Sequence, residues 1–141
     1  MDSERNLPVS LSVSRYDHCR DRQALLRLID IRGLNNRNNY IPNIGYVVKL
    51  RTGDPVSFVF LRTLEGNAMM FDSMITDPSF SPEIRDLAND LMTAACMQYI
   101  KDNKISMILA FSKDGNTIKR ARSHGLTLLD EFQVAAASFA Y

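Results

Sequence analysis

No stretch of this 141-residue sequence approaches the roughly 20 consecutive apolar residues that a membrane-spanning helix needs, so a bilayer is not an expected partner. Neither sign of charge is in excess. Seventeen Lys and Arg stand against 16 Asp and Glu, a formal net charge of +1, which creates no long-range field for a polyanion and gives nucleic-acid binding no support. Cysteine is scarce. Cys19 and Cys96 are far apart, with no secretory leader before them, which predicts free thiols in a reducing cytoplasm. His18 adjoins Cys19, but neighbours on a chain make no zinc site without further ligands, and no metal is expected. Cys96, between Ala95 and Met97 in a helical pattern, reads as a buried and inert thiol.

What is present is enough apolar material for one core: 45% of the residues are hydrophobic, and the length predicts a single domain over residues 1–141. The segment "LPVSLSVSRY" alternates as a strand does, and "DRQALLRLIDIRGL" places Leu25, Leu28 and Ile29 at helical spacing before a stop at Gly33. "NNRNNYIPN" is dense in turn formers and predicts a loop. "IGYVVKLR", "PVSFVFLRTL" and "AMMFDSMIT" then follow as strands, joined by the hairpin signals Thr52-Gly53-Asp54 and Glu65-Gly66-Asn67.

Ser81 is placed as an N-cap, with Pro82 at the first helical position and Glu83 in the first turn. The long helix that follows repeats Ile84, Leu87, Leu91, Ala95 and Tyr99 at steps of three and four, which predicts that this row lies on the sheet. "ISMILAF" reads as a strand buried on both faces, parallel to the strand before the helix, because a helical crossover joins them. "GNTIKRARSHG" predicts a shorter helix ending at Gly125, and "LTLLD" and "FQVAAASFAY" predict terminal strands. The last of these is an edge on which a homodimer or a protein partner could pair.

This order of elements, with "FDSMITDP…R…A…L" and "FSKDGNTIKRARSHGL", resembles the GNAT superfamily of N-acetyltransferases, over most of the chain and best between Phe71 and Leu126. The resemblance implies an α/β fold with a mixed, mostly antiparallel twisted sheet flanked by helices and a parallel strand pair at the cofactor junction. It also implies acetyl-coenzyme A as co-substrate and an amine, on a small molecule or a protein, as acceptor. In that family the pyrophosphate meets free amides and the positive end of a helix dipole after the fourth strand. On this sequence the resemblance puts Ile84, Arg85, Asp86, Leu87 and Ala88 at the phosphates and Met74, Ile75 and Thr76 along the pantetheine arm. It puts Asp114 or Asn116 after the fifth strand, with Lys119, Arg120 and Arg122 close to the nucleotide's 3′-phosphate.

The sequence departs from the family pattern at two points. Asp86 stands where the family's Arg/Gln-x-x-Gly-x-Gly/Ala loop has a glycine, and a carboxylate beside a pyrophosphate repels it. Arg85 is placed to offset that charge. Ala121 stands where the family commonly has the tyrosine that protonates the leaving thiolate, and His124 is the expected substitute because imidazole titrates near neutrality. The pattern is similar to small phage-encoded members of the superfamily whose loop also carries no glycine.

Acetyl transfer to an amine needs a base, a polarising backbone N–H and a proton source. Asp72 is the expected base and Glu65 the substitute. The plainer reading of each is a solvated or capping carboxylate, and of the basic helix a solvated face. The rival function is a catalytically silent protein of this fold that acts by contact, as a structural component or a binder of another protein.

Overall fold

In the computed structural model, residues 10–34, 41–112 and 115–127 are described. The order is β1 (Leu11–Arg15), α1 (His18–Ile31), β2 (Ile44–Leu50), β3 (Pro55–Leu64), β4 (Ala68–Thr76), α2 (Pro82–Asp102), β5 (Met107–Leu109) and α3 (Gly115–Ser123). The five strands form one sheet in sequence order. β1 to β4 pair antiparallel, and β5 runs parallel to β4 from Ala68↔Met107 to Met70↔Leu109. This is the mixed sheet expected from the hairpin signals and the helical crossover. The chain divides into two compact units, Met1–Phe111 and Ser112–Tyr141. The expected terminal strands and most of the "NNRNNYIPN" loop lie outside the described residues.

The turn and cap residues set these boundaries. Gly53 and Gly66, at φ 97° and 77°, take the left-handed conformation that the two hairpins require, and Asn67 follows at φ 60°. Asp17 caps α1 by accepting the Arg20 amide at 3.0 Å, and Gly33 ends it, with the Leu34 amide reaching back to the Ile29 carbonyl at 2.8 Å. The same ending closes α2 on Lys104, a non-glycine residue at φ 54°. In the second unit it closes α3 on Gly125, at φ 95°, where the Leu126 amide reaches the Ala121 carbonyl at 3.0 Å. At the far end of α2, the Asn67 side-chain amide donates to the Lys104 carbonyl at 2.9 Å and to Ser106 Oγ at 2.8 Å, which ties the β3–β4 hairpin to the entry of β5.

Within the first unit α1 covers one face of the sheet and α2 the other. Leu25, Leu28 and Ile29 of α1 pack with Tyr16, Val47, Phe58, Phe60 and Ile75. Ala88, Met92, Cys96 and Ile100 of α2 pack with Val48, Val56, Val59, Leu61 and Met69. β3 contributes to both clusters and is buried from Pro55 to Leu61, as expected of a central strand covered on both sides. Gly45 crosses Phe60 so closely that a Cβ there would lie 2.5 Å from the ring and 2.8 Å from the Val59 carbonyl.

Two expectations need correction. The seam of α2 is the row Ala88, Met92, Cys96 and Ile100, one residue on from the predicted row. Ile84, Leu91 and Tyr99 are partly buried beside it, and Leu87 is exposed. Both rows are apolar, and the small side chains of Ala88 and Cys96 let the helix settle closest to the sheet. β5 is three residues long and Met107 is exposed, so it is not a strand buried on both faces.

Candidate functional site

The site is built on β4. Phe60 pairs with Ser73 and Leu61 with Phe71, so Asp72 is the extra residue of a β-bulge. The bulge switches the face that following side chains occupy. Phe71 packs on the α2 side, whereas Asp72 and Ser73 both line a cavity on the α1 side. Pairing with β5 stops at Met70, just before the bulge. From Phe71 to Thr76 the outer edge of β4 therefore has no strand partner among the described residues.

Which backbone groups face that edge follows from the ladder. The Asp77 amide donates to the Val56 carbonyl at 2.8 Å, and Thr76 lies opposite Ser57. Antiparallel pairs alternate between hydrogen-bonded and non-hydrogen-bonded. Asp77 and Val56 form a bonded pair, so Ile75 with Phe58 is bonded as well. Met74 and Thr76 then turn their N–H and C=O outward, to the open edge. Ile75 does not belong with them: its backbone faces β3, its carbonyl accepts Ser57 Oγ at 3.3 Å, and its side chain is buried against α1.

α2 starts where the sequence placed it, but the donors expected for a phosphate are not at that start. Ser81 is the N-cap, its Oγ accepting the Ile84 amide at 3.3 Å, and the Arg85 amide already bonds the Ser81 carbonyl at 3.0 Å. Because Pro82 begins the helix, Asp86, Leu87 and Ala88 lie in its second turn, where their amides belong to the helical ladder. They cannot be the free donors predicted for a pyrophosphate. Asp86 and Leu87 are exposed, and Ala88 is fully buried in the seam. The helix leaves the Glu83 amide without an intrahelical acceptor.

Asp77 turns its carboxylate into the loop between β4 and α2, where Oδ1 accepts from the Ser79 amide at 2.9 Å and from Ser79 Oγ at 2.7 Å. Arg85 is half-buried, and its Nε is buried with no hydrogen-bond partner among the described residues. A buried guanidinium N–H without an acceptor is costly, and it suits an anionic ligand at this corner.

A polar cluster that the sequence reading missed fixes α2 to the sheet here. Ser57 Oγ donates to Asn89 Oδ1 at 2.7 Å, Thr76 Oγ1 donates to the same oxygen at 3.1 Å, and the two hydroxyls lie 2.8 Å apart. Ser57 is fully buried. The sequence signal was a serine inside the apolar run "PVSFVF" and an asparagine about two turns along from the cap.

On the α1 side, a cavity of about 220 Å³ is lined by Leu25 and Ile29, by Ile41 and Pro42, by Phe60 and Arg62, and by Asp72, Ser73 and Ile75. Asp72 is largely buried there. Its Oδ1 accepts Arg62 Nε at 3.1 Å and its Oδ2 accepts Ser73 Oγ at 3.2 Å. Glu65 is exposed in the β3–β4 turn, at the opposite end of β4 from α2's first turn, and does not line this cavity. Asn116, Arg120 and His124 belong to the second unit, on α3 and its closing turn, as does Ala121. Cys96 is buried among apolar side chains, which pushes its thiol up to about 12.

No protein-family profile matches the chain, and no curated protein matches it in sequence. Solved structures do match in shape. A ribosomal-protein-alanine N-acetyltransferase from Brucella melitensis biovar Abortus 2308 aligns with TM-score 0.66 at 10% identity, over 93% of this chain and 100% of its own. The aminoglycoside N-acetyltransferase AAC(6')-Iy in complex with coenzyme A aligns with TM-score 0.63 at 11% identity, over 92% and 95%. An IAA acetyltransferase from Bacillus cereus ATCC 14579 aligns with TM-score 0.61 at 14% identity, over 86% and 79%. The chain has the GNAT N-acetyltransferase fold.

Proposed function

We propose that this protein is an N-acetyltransferase that uses acetyl-coenzyme A as co-substrate and an amine as acceptor. The observation that carries the reading is the open edge of β4, where Met74 and Thr76 direct backbone donors and acceptors outward beyond the point at which β5 leaves, with no strand partner among the described residues. An extended ligand with amide groups satisfies such an edge as another strand would, and the pantetheine arm is of that kind. Acetyl-coenzyme A supplies the activated thioester. Arg85 and the Glu83 amide are the groups this chain offers to its diphosphate.

Asp72, on the bulge, holds the acceptor amine and takes its proton. The amine nitrogen then forms the new C–N bond as the C–S bond breaks, the electron pair going to sulfur, which solvent protonates. The second unit's Asn116, Arg120 and His124 carry no part of this reading.

A second reading is favoured by a specific observation: Asp77 and Ser81 already engage the Ser79 and Ile84 amides at the junction, and Ala121 offers no proton. On that reading the protein keeps the fold and works by contact.

Thermal unfolding with coenzyme A separates the two. A ligand at 100 times its dissociation constant stabilises the native state by about 2.7 kcal/mol, so millimolar coenzyme A is expected to raise Tm clearly. An unchanged Tm favours the contact reading.

A further inference from the structure

The hollow beside Asp72 is open to solvent, and it shares Ile41, Pro42 and Arg62 with a second open cleft of about 370 Å³ that continues over Asn43, Ile44, Leu61 and Thr63. The two form one groove. Neither part is closed, so neither limits the length of a ligand. The inner arm has apolar walls from Leu25, Ile29, Phe60 and Ile75, with Asp72 and Ser73 as polar residues between them.

The outer arm contains a stretch of sheet edge. Pairing of β2 with β3 ends at Ile44↔Leu61, whereas β3 runs on to Leu64. The Tyr16 amide donates to the Gly45 carbonyl at 2.8 Å, so Gly45 turns its backbone to β1 and Ile44 turns its own to β3. Ile44 and Leu61 are then a bonded pair. Thr63, two residues further along β3, points its N–H and C=O to the same side, away from β4. It is exposed, it lines the outer arm, and its backbone has no partner on that side among the described residues. Pro42, across the same arm, has no N–H to offer it.

A donor and an acceptor on one edge residue match one residue of an extended peptide, which accepts from that N–H and donates to that C=O. A small amine at Asp72 leaves both unused. Asp72 bulges from β4 opposite Phe60 and Leu61. A backbone paired with Thr63 therefore lies roughly 7 Å along the strands and roughly 10 Å, two strand spacings, across them. The Asp72 side chain covers part of that separation, and about three extended residues cover the rest.

We infer that the acceptor is the N-terminal amine of a polypeptide bound extended in this groove. The ammonium lies on Asp72, the first side chain is apolar and sits among Leu25, Ile29, Phe60 and Ile75, and a residue about three along pairs with Thr63. Acetylation of that amine rests on the transferase reading, but the binding stands by itself.

Titration calorimetry on the full chain tests it with the tetrapeptide Leu-Ser-Ser-Ser amide and with leucinamide, which has the same amine and first side chain but no further backbone. The tetrapeptide is expected to bind about tenfold more tightly, since two neutral hydrogen bonds at Thr63 contribute roughly two- to tenfold each. The N-acetylated tetrapeptide, whose end offers Asp72 no charge, is expected to lose about tenfold or more. Methylation of the peptide amides one at a time should remove the gain at a single position near the third residue. Thr63→Pro should remove it as well and leave leucinamide binding unchanged, because that N–H faces away from the β4 ladder and proline is tolerated at such an edge. Equal binding of tetrapeptide and leucinamide, equal binding of the free and acetylated peptides, indifference to every methylation, or no heat with the tetrapeptide overturns the inference whatever the variant does. A parallel titration with coenzyme A keeps the two proposals apart. Heat with coenzyme A and no preference for the tetrapeptide overturns the peptide groove alone. A preference for the tetrapeptide and no heat with coenzyme A upholds the groove and removes the transferase.

Discussion

Ser57 on β3 and Asn89 on α2 are 32 residues apart and are joined by a 2.7 Å hydrogen bond in the interior of the first unit. Thr76, the last residue of β4, shares the same Asn89 oxygen. The bond therefore sets where α2 begins relative to the open edge of β4. Removing the Ser57 hydroxyl leaves the Asn89 oxygen with Thr76 as its donor, so the loss is that of one hydrogen bond, about 0.5–1.5 kcal/mol. Ser57→Ala is expected to lose an amount in that range by chemical denaturation. Combined with Asn89→Leu the loss should fall short of the sum of the single losses, because the two share one network. Full additivity would mean that they do not act together.

Asp21 supplies a second interior polar link. Burial raises its pKa, but hydrogen bonds from Arg20, from Lys49 and from the Asp17 amide outweigh that and hold the carboxyl at about 2. Lys49 Nζ lies 2.7 Å away and joins α1 to β2. With the folded pKa below the unfolded one, the stabilisation is complete above about pH 4 and is lost as pH falls toward 2. A shift of this size corresponds to roughly 2–3 kcal/mol. Acid unfolding followed by circular dichroism should therefore steepen between pH 4 and 2, and Asp21→Asn should flatten that region while weakening the protein at pH 7.

Gly45 is required by space. A Cβ there would meet the Phe60 ring at 2.5 and 2.7 Å and the Val59 carbonyl at 2.8 Å, and the carbonyl cannot rotate away. Gly45→Ala is expected to destabilise by about 1–3 kcal/mol, as overpacking of a core does. Moving Phe60 would also deform the cavity beside Asp72, so any affinity for an acceptor should fall with it.

Lys104 sits at φ 54° at the end of α2, where an L-residue is strained. Lys104→Gly keeps the Lys104 carbonyl that Asn67 holds and relieves the strain. Stability is expected to rise by about 0.5–1 kcal/mol after the extra unfolded-state entropy of glycine is counted. A fall would show that the lysine side chain matters more than the backbone.

Local chemistry was legible in the sequence. Asp17 was not foreseen as a cap, but Ser81 with Pro82, Gly33, Gly125 and the hairpin pairs Gly53-Asp54 and Gly66-Asn67 each act through a few neighbouring residues, and each is where it was expected. The non-local features were not legible. The bulge at Asp72 depends on the register between β3 and β4, and the Ser57–Asn89 bond on how α2 lands on the sheet. The facing of Met74 and Thr76 depends on which pairs of the ladder are bonded. The α2 seam was misassigned by one residue because two adjacent rows are apolar and only packing chooses between them. The phosphate donors were placed too far along because family landmarks outweighed Pro82, which had already fixed the start of the helix.

The most direct test of the account reads the β4 edge itself. Amide resonances of Met74, Ile75 and Thr76 are followed as coenzyme A is added, and amide exchange is measured with and without it. The account predicts that the Met74 and Thr76 amides shift and gain protection, while Ile75, already bonded to β3, changes little. No change at Met74 and Thr76 with coenzyme A in millimolar excess would contradict it.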